Sequence, residues 1–186
     1  MGVKRLIIAG ALLSLLGFLA QRIILSESLA LASLGLSGLR FVQNLGLGLA
    51  LAGLSLFLRP RLKPLAFRSG LLAGLGYALI GLEPLVLGAL GVDQGTIILV
   101  QAFIVLPSAV LLGIFGLGFL KLGEHEGRSA KTYATFLLVL AFSHVAVFLF
   151  PSTTSAYSVF LLLVYFLMVA IPIALLVFLG LFRKAQ

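Results

Sequence analysis

From Thr132 to Phe182 the chain carries no Asp, Glu, Lys or Arg, and a second tract, from Gln94 to Leu120, is equally free of them. About 20 consecutive, mostly apolar residues make a helix long enough to cross the hydrocarbon core of a bilayer. These tracts therefore predict membrane-spanning helices, and the rest of the sequence follows the same pattern. Six segments have the required length and apolarity, roughly residues 6–25, 40–58, 66–90, 95–120, 133–150 and 157–182. The longer tract is divided by Pro151-Ser152-Thr153-Thr154-Ser155, a turn-forming cluster that makes a helical hairpin of its two halves. Only 10% of the residues are charged and the mean hydropathy is +1.27, whereas an ordinary soluble domain is about 25% charged. No polar stretch longer than a loop remains for a second, soluble unit. The expectation is one all-α, polytopic transmembrane domain over residues 1–186.

The first segment needs separating from a signal peptide, because Lys4 and Arg5 precede its apolar run and an Ala30-Leu31-Ala32 triplet follows it. Cleavage sites lie just beyond the apolar region. Here Gln21, Arg22 and Glu27 intervene, so the first helix is expected to be retained.

The basic residues give an orientation. Lys4, Arg5, Arg59, Arg61, Lys63, Arg68, Lys121, Arg128, Lys131, Arg183 and Lys184 fall on one side of the six segments; only Arg22 and Arg40 fall on the other. Cytoplasmic loops carry the excess of Lys and Arg. The 11 to 2 division thus predicts a multi-pass protein of the cell membrane with both termini cytoplasmic. It also accounts for the net charge of +8 and the pI near 10.5 without nucleic acid, since the cations lie between apolar runs rather than along a soluble face. In Arg59-Pro60-Arg61-Leu62-Lys63-Pro64 two prolines stiffen a cluster of positive charge, suited to lipid headgroups or to a cytoplasmic partner.

Several chemistries can be set aside. With no cysteine there are no disulfides, thiolate zinc sites, cysteine-ligated iron–sulfur clusters or cysteine nucleophiles. Leu120–Arg128 reads as a solvated turn. Its consecutive Glu124, His125 and Glu126 point in different directions and lack the i, i+3 or i, i+4 spacing of helical metal ligands. Gly35-Leu36-Ser37-Gly38 resembles the nucleophile motif of rhomboid-type intramembrane proteases, but its serine falls before the second span, in a loop. His125 and His144 are about 28 Å apart in helix rise, too far to share a haem. The reading is therefore a non-enzyme with no catalytic residues, no metal and no cofactor.

Gly is abundant at 21 residues, and much of it has small-xxx-small spacing: Gly48 with Ala52, Gly70 with Gly74, and Gly113 near Gly116 and Gly118. In lipid, close approach of helices depends on such small residues. These positions are expected to be packing surfaces.

The polar residues inside the spans are unevenly distributed. Gln43 and Asn44 lie about 5 Å below the outer end of the second segment, and Glu83, Gln101 and His144 about 9 Å below the outer ends of the third, fourth and fifth. Four helices thus place polar groups in one outer-leaflet layer, with Tyr77 and Ser143 beside it. Intramembrane ionisable groups are costly to bury and usually face a bundle interior or cavity. Glu83 is followed by Pro84, and Pro107 and Pro172 interrupt the hydrogen bonding of the fourth and sixth segments; broken helices around a polar layer recur in transporter sites. Glu83, His144, Gln101, Asn44 and Gln43 are the candidate ligand-binding residues, with Glu83 and His144 expected to share one cavity. Helix-to-helix hydrogen bonding is the competing role, favoured for the three amides.

Six helices, both termini inside, a length below 200 residues and an outward polar layer resemble the architecture of the substrate-binding subunits of energy-coupling-factor vitamin transporters. The resemblance is one of topology over the whole chain. The first helix has Gly10, Ser14 and Gly17 in place of that family's Ala-xxx-Ala surface, and no site residue is carried over. The functional expectation is a small integral membrane protein that binds or conducts a small solute or ion. The alternative is a non-catalytic subunit of a larger membrane complex of respiratory or secretion type. Expected partners are the lipid bilayer, a small solute, and membrane-protein partners or further copies of the chain.

Overall fold

A computed structural model describes residues 2–27, 32–126 and 128–184. Among these, every regular element is helical: α1 (Val3–Glu27), α2 (Ala32–Leu58), α3 (Pro64–Ala89), α4 (Gln94–Glu126), α5 (Arg128–Leu149) and α6 (Ser155–Lys184). Each contains a stretch long and apolar enough to cross a membrane. All six expected segments are present, but two differ at their ends. The second helix begins at Ala32 rather than near Arg40, so Ser37 is helical and not in a loop. The turn expected over Leu120–Arg128 is helical through Glu126, and Gly127 lies outside the described residues, as do Ala30 and Leu31. A mid-helix glycine such as Gly123 costs only about 1 kcal/mol against alanine, too little to end a helix of 33 residues.

Consecutive helices pack against each other and α6 returns to α1, which closes a six-membered ring of antiparallel neighbours. The α1–α2 and α2–α3 seams are the closest, and glycine is the reason. A Cβ on Gly10 would stand 2.6 Å from the backbone of both Ala50 and Gly46, and one on Gly17 would stand 2.7 Å from the Gln43 nitrogen. Gly46 returns the contact to Ser14 and Gly10, and Gly53 receives Ile7. The α2–α3 seam is built from the expected small-residue pair, Gly48 and Ala52 of α2 meeting Gly74 and Ala78 of α3. The α3–α4 seam keeps one register along its length: Ala66 meets Gly118, Gly76 meets Ser108, and seven residues beyond each of the latter two Glu83 meets Gln101.

The ring has no central helix, and its interior is filled by side chains. Tyr77, Phe115, Phe119, Tyr133 and Phe178 are fully buried, with Phe119 in edge contact with Tyr133 and Phe178, both at 5.6 Å between centroids. On α3 the outward face is more apolar than the inward one. On α3 the leucines at 72, 75, 79 and 82 and Val86 are exposed, while Ser69, Gly70, Tyr77 and Glu83 are buried. Phe103 of α4 is 81% exposed. This inversion of the soluble pattern is what a lipid-facing surface requires.

Candidate functional site

The α3–α4 connection shapes one end of the bundle. Glycine is required at residue 91, where φ is +70°. There the Gly91 N–H donates to Gly88 O and the Val92 N–H to Leu87 O, the paired bonds that end a helix on a left-handed residue. Two residues later Asp93 starts α4, accepting the Thr96 N–H at 3.0 Å and the Thr96 hydroxyl at 2.6 Å. The Thr96 hydroxyl, then its N–H, hold the exposed Asp93 carboxyl below the usual carboxylate range. This short link ties the far ends of α3 and α4 together and leaves a recess between them and α2.

The recess has a volume of about 460 Å³ and is lined by Ser37 and Arg40 of α2, Pro84, Leu85 and Gly88 of α3, Val92, and Ile97, Ile98 and Gln101 of α4. Glu83 borders it through its chain neighbour Pro84 and through Gln101, whose amide approaches the carboxylate. Neither Glu83 oxygen has a hydrogen-bond partner of good geometry among the described residues, although the side chain is 8% exposed. A carboxylate placed there has lost its hydration and has only the approaching Gln101 amide in exchange, and burial so weakly compensated is costly. Pro84 also removes a backbone donor, which leaves the Ile80 carbonyl without its helical partner. The lining itself offers a ligand the Gln101 amide and the Arg40 side chain, and Glu83 stands next to it in the chain with both oxygens buried.

The five residues singled out from the sequence do not form one constellation. Glu83 and Gln101 meet in the α3–α4 seam. His144 is placed elsewhere: its Nδ1 lies 3.0 Å from Leu140 O and 3.4 Å from the Tyr77 hydroxyl, with the two rings edge to face at 5.7 Å. A carbonyl can only accept, so the Leu140 contact assigns the proton to Nδ1 and leaves Nε2 as the acceptor. No hydrogen bond joins Glu83 to His144. Gln43 accepts a 2.7 Å hydrogen bond from the Gln21 amide, joining α1 to α2, and Asn44 donates to the Arg40 carbonyl at 2.9 Å within α2. These two amides and His144 are engaged in contacts between or within helices. Ser143 likewise turns back to its own helix, donating to Val139 O at 2.7 Å.

Two residues of the recess, Ser37 and Arg40, were not among the sequence candidates. The sequence reads Arg40 as a charge flanking a span. Its placement eight residues inside α2 was hidden because apolar content alone drew that helix too short. Comparison of the chain with protein-family models, with curated proteins and with solved structures finds no match.

Proposed function

We propose that this is a multi-pass membrane protein that binds a small polar solute carrying a positive charge in the recess between α2, α3 and α4. The charged group of the solute pairs with Glu83, Gln101 hydrogen-bonds it, and Arg40 receives an anionic group at the rim. One observation carries this reading: a buried carboxylate with no hydrogen bond of good geometry among the described residues, next in the chain to the Pro84 wall of a cavity large enough for a small molecule. Binding is favoured over open conduction because the fully buried Tyr77, Phe115, Phe119, Tyr133 and Phe178 fill the ring interior. The division of Lys and Arg turns the recess toward the cell exterior and both termini toward the cytoplasm.

The test has two parts. A reporter fused at Gly91 should register outside and one at Lys63 inside; the reverse would refute the orientation. Purified protein is then screened by thermal unfolding against small amines, amino acids and other zwitterions. A stabilising solute should lose its effect in Glu83→Gln, which keeps the side-chain shape, while the unliganded melting temperature stays the same or rises. If Glu83→Gln responds to the solute as the wild type does, the site is wrong. If the chain is isolated from its native membrane only with unlike subunits covering the recess, the solute reading gives way to the complex-subunit one.

A further inference from the structure

A second cleft, of about 610 Å³, lies between α1 and α6, the least extensive seam of the ring. Ala170 and Ala174, one turn apart on α6, leave room there, and Phe18, Phe136, Tyr165 and Phe166 line it with aromatic rings. It opens sideways, toward lipid: Leu162 is 69% and Phe166 63% exposed. From Leu162 to Ala174 the lining follows α6 for about 18 Å, a little more than one leaflet of a hydrocarbon core about 30 Å thick. Among the described residues the lining holds two polar side chains, Arg22 and Tyr165. The Arg22 guanidinium lies 5.3 Å from the Phe18 ring centroid and 5.7 Å from that of Tyr165. Neither its N–H groups nor the Tyr165 hydroxyl has an oxygen acceptor among the described residues.

We infer that this cleft binds one neutral, single-tailed lipid whose compact head carries carbonyl oxygens, the chemistry of a membrane quinone. The carbonyls accept from Arg22 and Tyr165, and the tail lies along Ala170 and Ala174. An apolar slot by itself selects nothing in a bilayer, since any lipid tail fills it equally well. The two donors make the selection. A donor left unpaired in hydrocarbon carries a cost that a carbonyl relieves and a saturated tail does not. Depth excludes a phospholipid: Tyr165 stands ten residues inside α6, about 15 Å of helix rise from Ser155, so reaching it would draw phosphate and glycerol into the hydrocarbon. The four aromatic side chains favour a flat head, because planar π-systems stack on one another. With the guanidinium set against two ring faces, the head has to supply acceptors and not a countercharge.

The experiment is photolabelling of the full chain in phosphatidylcholine vesicles with an azido-quinone carrying an isoprenoid tail, the labelled peptides being mapped by mass spectrometry. The label should saturate and fall on α1 near Phe18 and on α6 between Leu162 and Ala174. Unlabelled quinone should displace it, and squalane, a hydrocarbon without a head, should not. Tyr165→Phe keeps the ring beside Arg22 and removes one donor, so half-labelling should need about five-fold more quinone. Ala170→Phe fills the slot and should abolish the saturable label; should that variant fail to fold, Tyr165→Phe decides alone. Label that never saturates or spreads over the exposed leucines of α3, displacement by squalane or by palmitate as readily as by quinone, or wild-type labelling of Tyr165→Phe would each overturn the inference. The cleft shares no lining residue with the recess, so Glu83→Gln should label as the wild type does and the two proposals fail separately.

Discussion

Adding a single methyl group at Gly10 tests whether backbone contact holds α1 to α2. The new Cβ would stand 2.6 Å from Ala50 N and 2.6 Å from Gly46 O, and both are main-chain atoms that cannot rotate away. Ordinary contact begins near 3.4 Å, so the helices must separate by several tenths of an ångström, losing dispersion contacts along the seam. Overpacking of this kind costs about 1–3 kcal/mol. At about 2–4 °C per kcal/mol for a chain of this size, Gly10→Ala should lower the melting temperature by roughly 5 °C. Gly46→Ala should behave alike, because its Cβ would stand 2.6 Å from Gly10 O. The two substitutions address the same gap from opposite sides, so once one methyl has parted the helices the second adds little, and the double variant should cost clearly less than the sum. Gly180→Ala, with nothing within 4 Å of its Cβ, is the control and should change little. The chain has no tryptophan, which makes far-UV circular dichroism in detergent the suitable readout. A wild-type melting temperature for Gly10→Ala, or strictly additive losses in the double variant, would refute backbone contact as the basis of the seam.

Two other expectations rest on single polar groups. The Tyr133 hydroxyl is buried within the aromatic cluster and has no hydrogen-bond partner among the described residues, so Tyr133→Phe should raise stability by about 1 kcal/mol in the same melting assay. Asp93 has a folded pKa below its unfolded one, so its hold on the start of α4 is complete at neutral pH and is lost only as pH falls through that lowered value. Exchange at the Thr96 amide should therefore gain an acid-induced opening that Asp93→Asn abolishes; an opening that appears as pH rises would contradict the assignment.

The six helices were legible because the signal is length and apolarity alone, and nothing in lipid competes with intrahelical hydrogen bonding. Packing was half legible. Gly48-xxx-Ala52 announces a surface for close approach, but spacing along one helix names the face and not the partner, and that the partner is Gly74-xxx-Ala78 emerges only in three dimensions. The direction in which a buried polar side chain turns was the least legible quantity. Counting rise from an apolar boundary placed Glu83 and His144 at one level, yet rotation about the helix axis, which that count ignores, directs Glu83 toward Gln101 and His144 toward Tyr77. The placement of Arg40 in a loop has a related cause: an arginine reads as the end of a span unless the helix before it is seen to continue, and here α2 begins at Ala32. The Asp93 cap on α4, which holds the Thr96 N–H beside Val92 and Ile97 of the recess, emerges only from the structure, because no hydropathy argument points to it.

The unequal seams also locate where this ring can open. Over half of the α2 span is buried, 56%, against 28% of the α6 span, and α6 meets α1 less extensively than any other neighbouring pair. Beside that junction lies an apolar cleft of about 610 Å³, lined by Phe18 and Arg22 of α1, by Phe136, and by Leu162, Tyr165 and Phe166 of α6 among others. At its mouth Arg22 bridges the two helices, over Phe18 at 5.3 Å and Tyr165 at 5.7 Å. A cation held over aromatic rings contributes about 0.5–1 kcal/mol at an exposed position, far less than a glycine seam in backbone contact. Local opening takes the path that breaks the fewest contacts. The α1–α6 junction should therefore part first, while α1, α2 and α3 move as one body that keeps the Glu83 and Arg40 sides of the recess in fixed relation. Hydrogen exchange in mild detergent should then show faster exchange in the middle of α6 than in the middle of α2, with Arg22→Gln accelerating α6 and leaving α2 unchanged. Equal protection of the two helices, or acceleration of α2 by that variant, would mean that the ring opens as a unit and that the recess has no rigid wall.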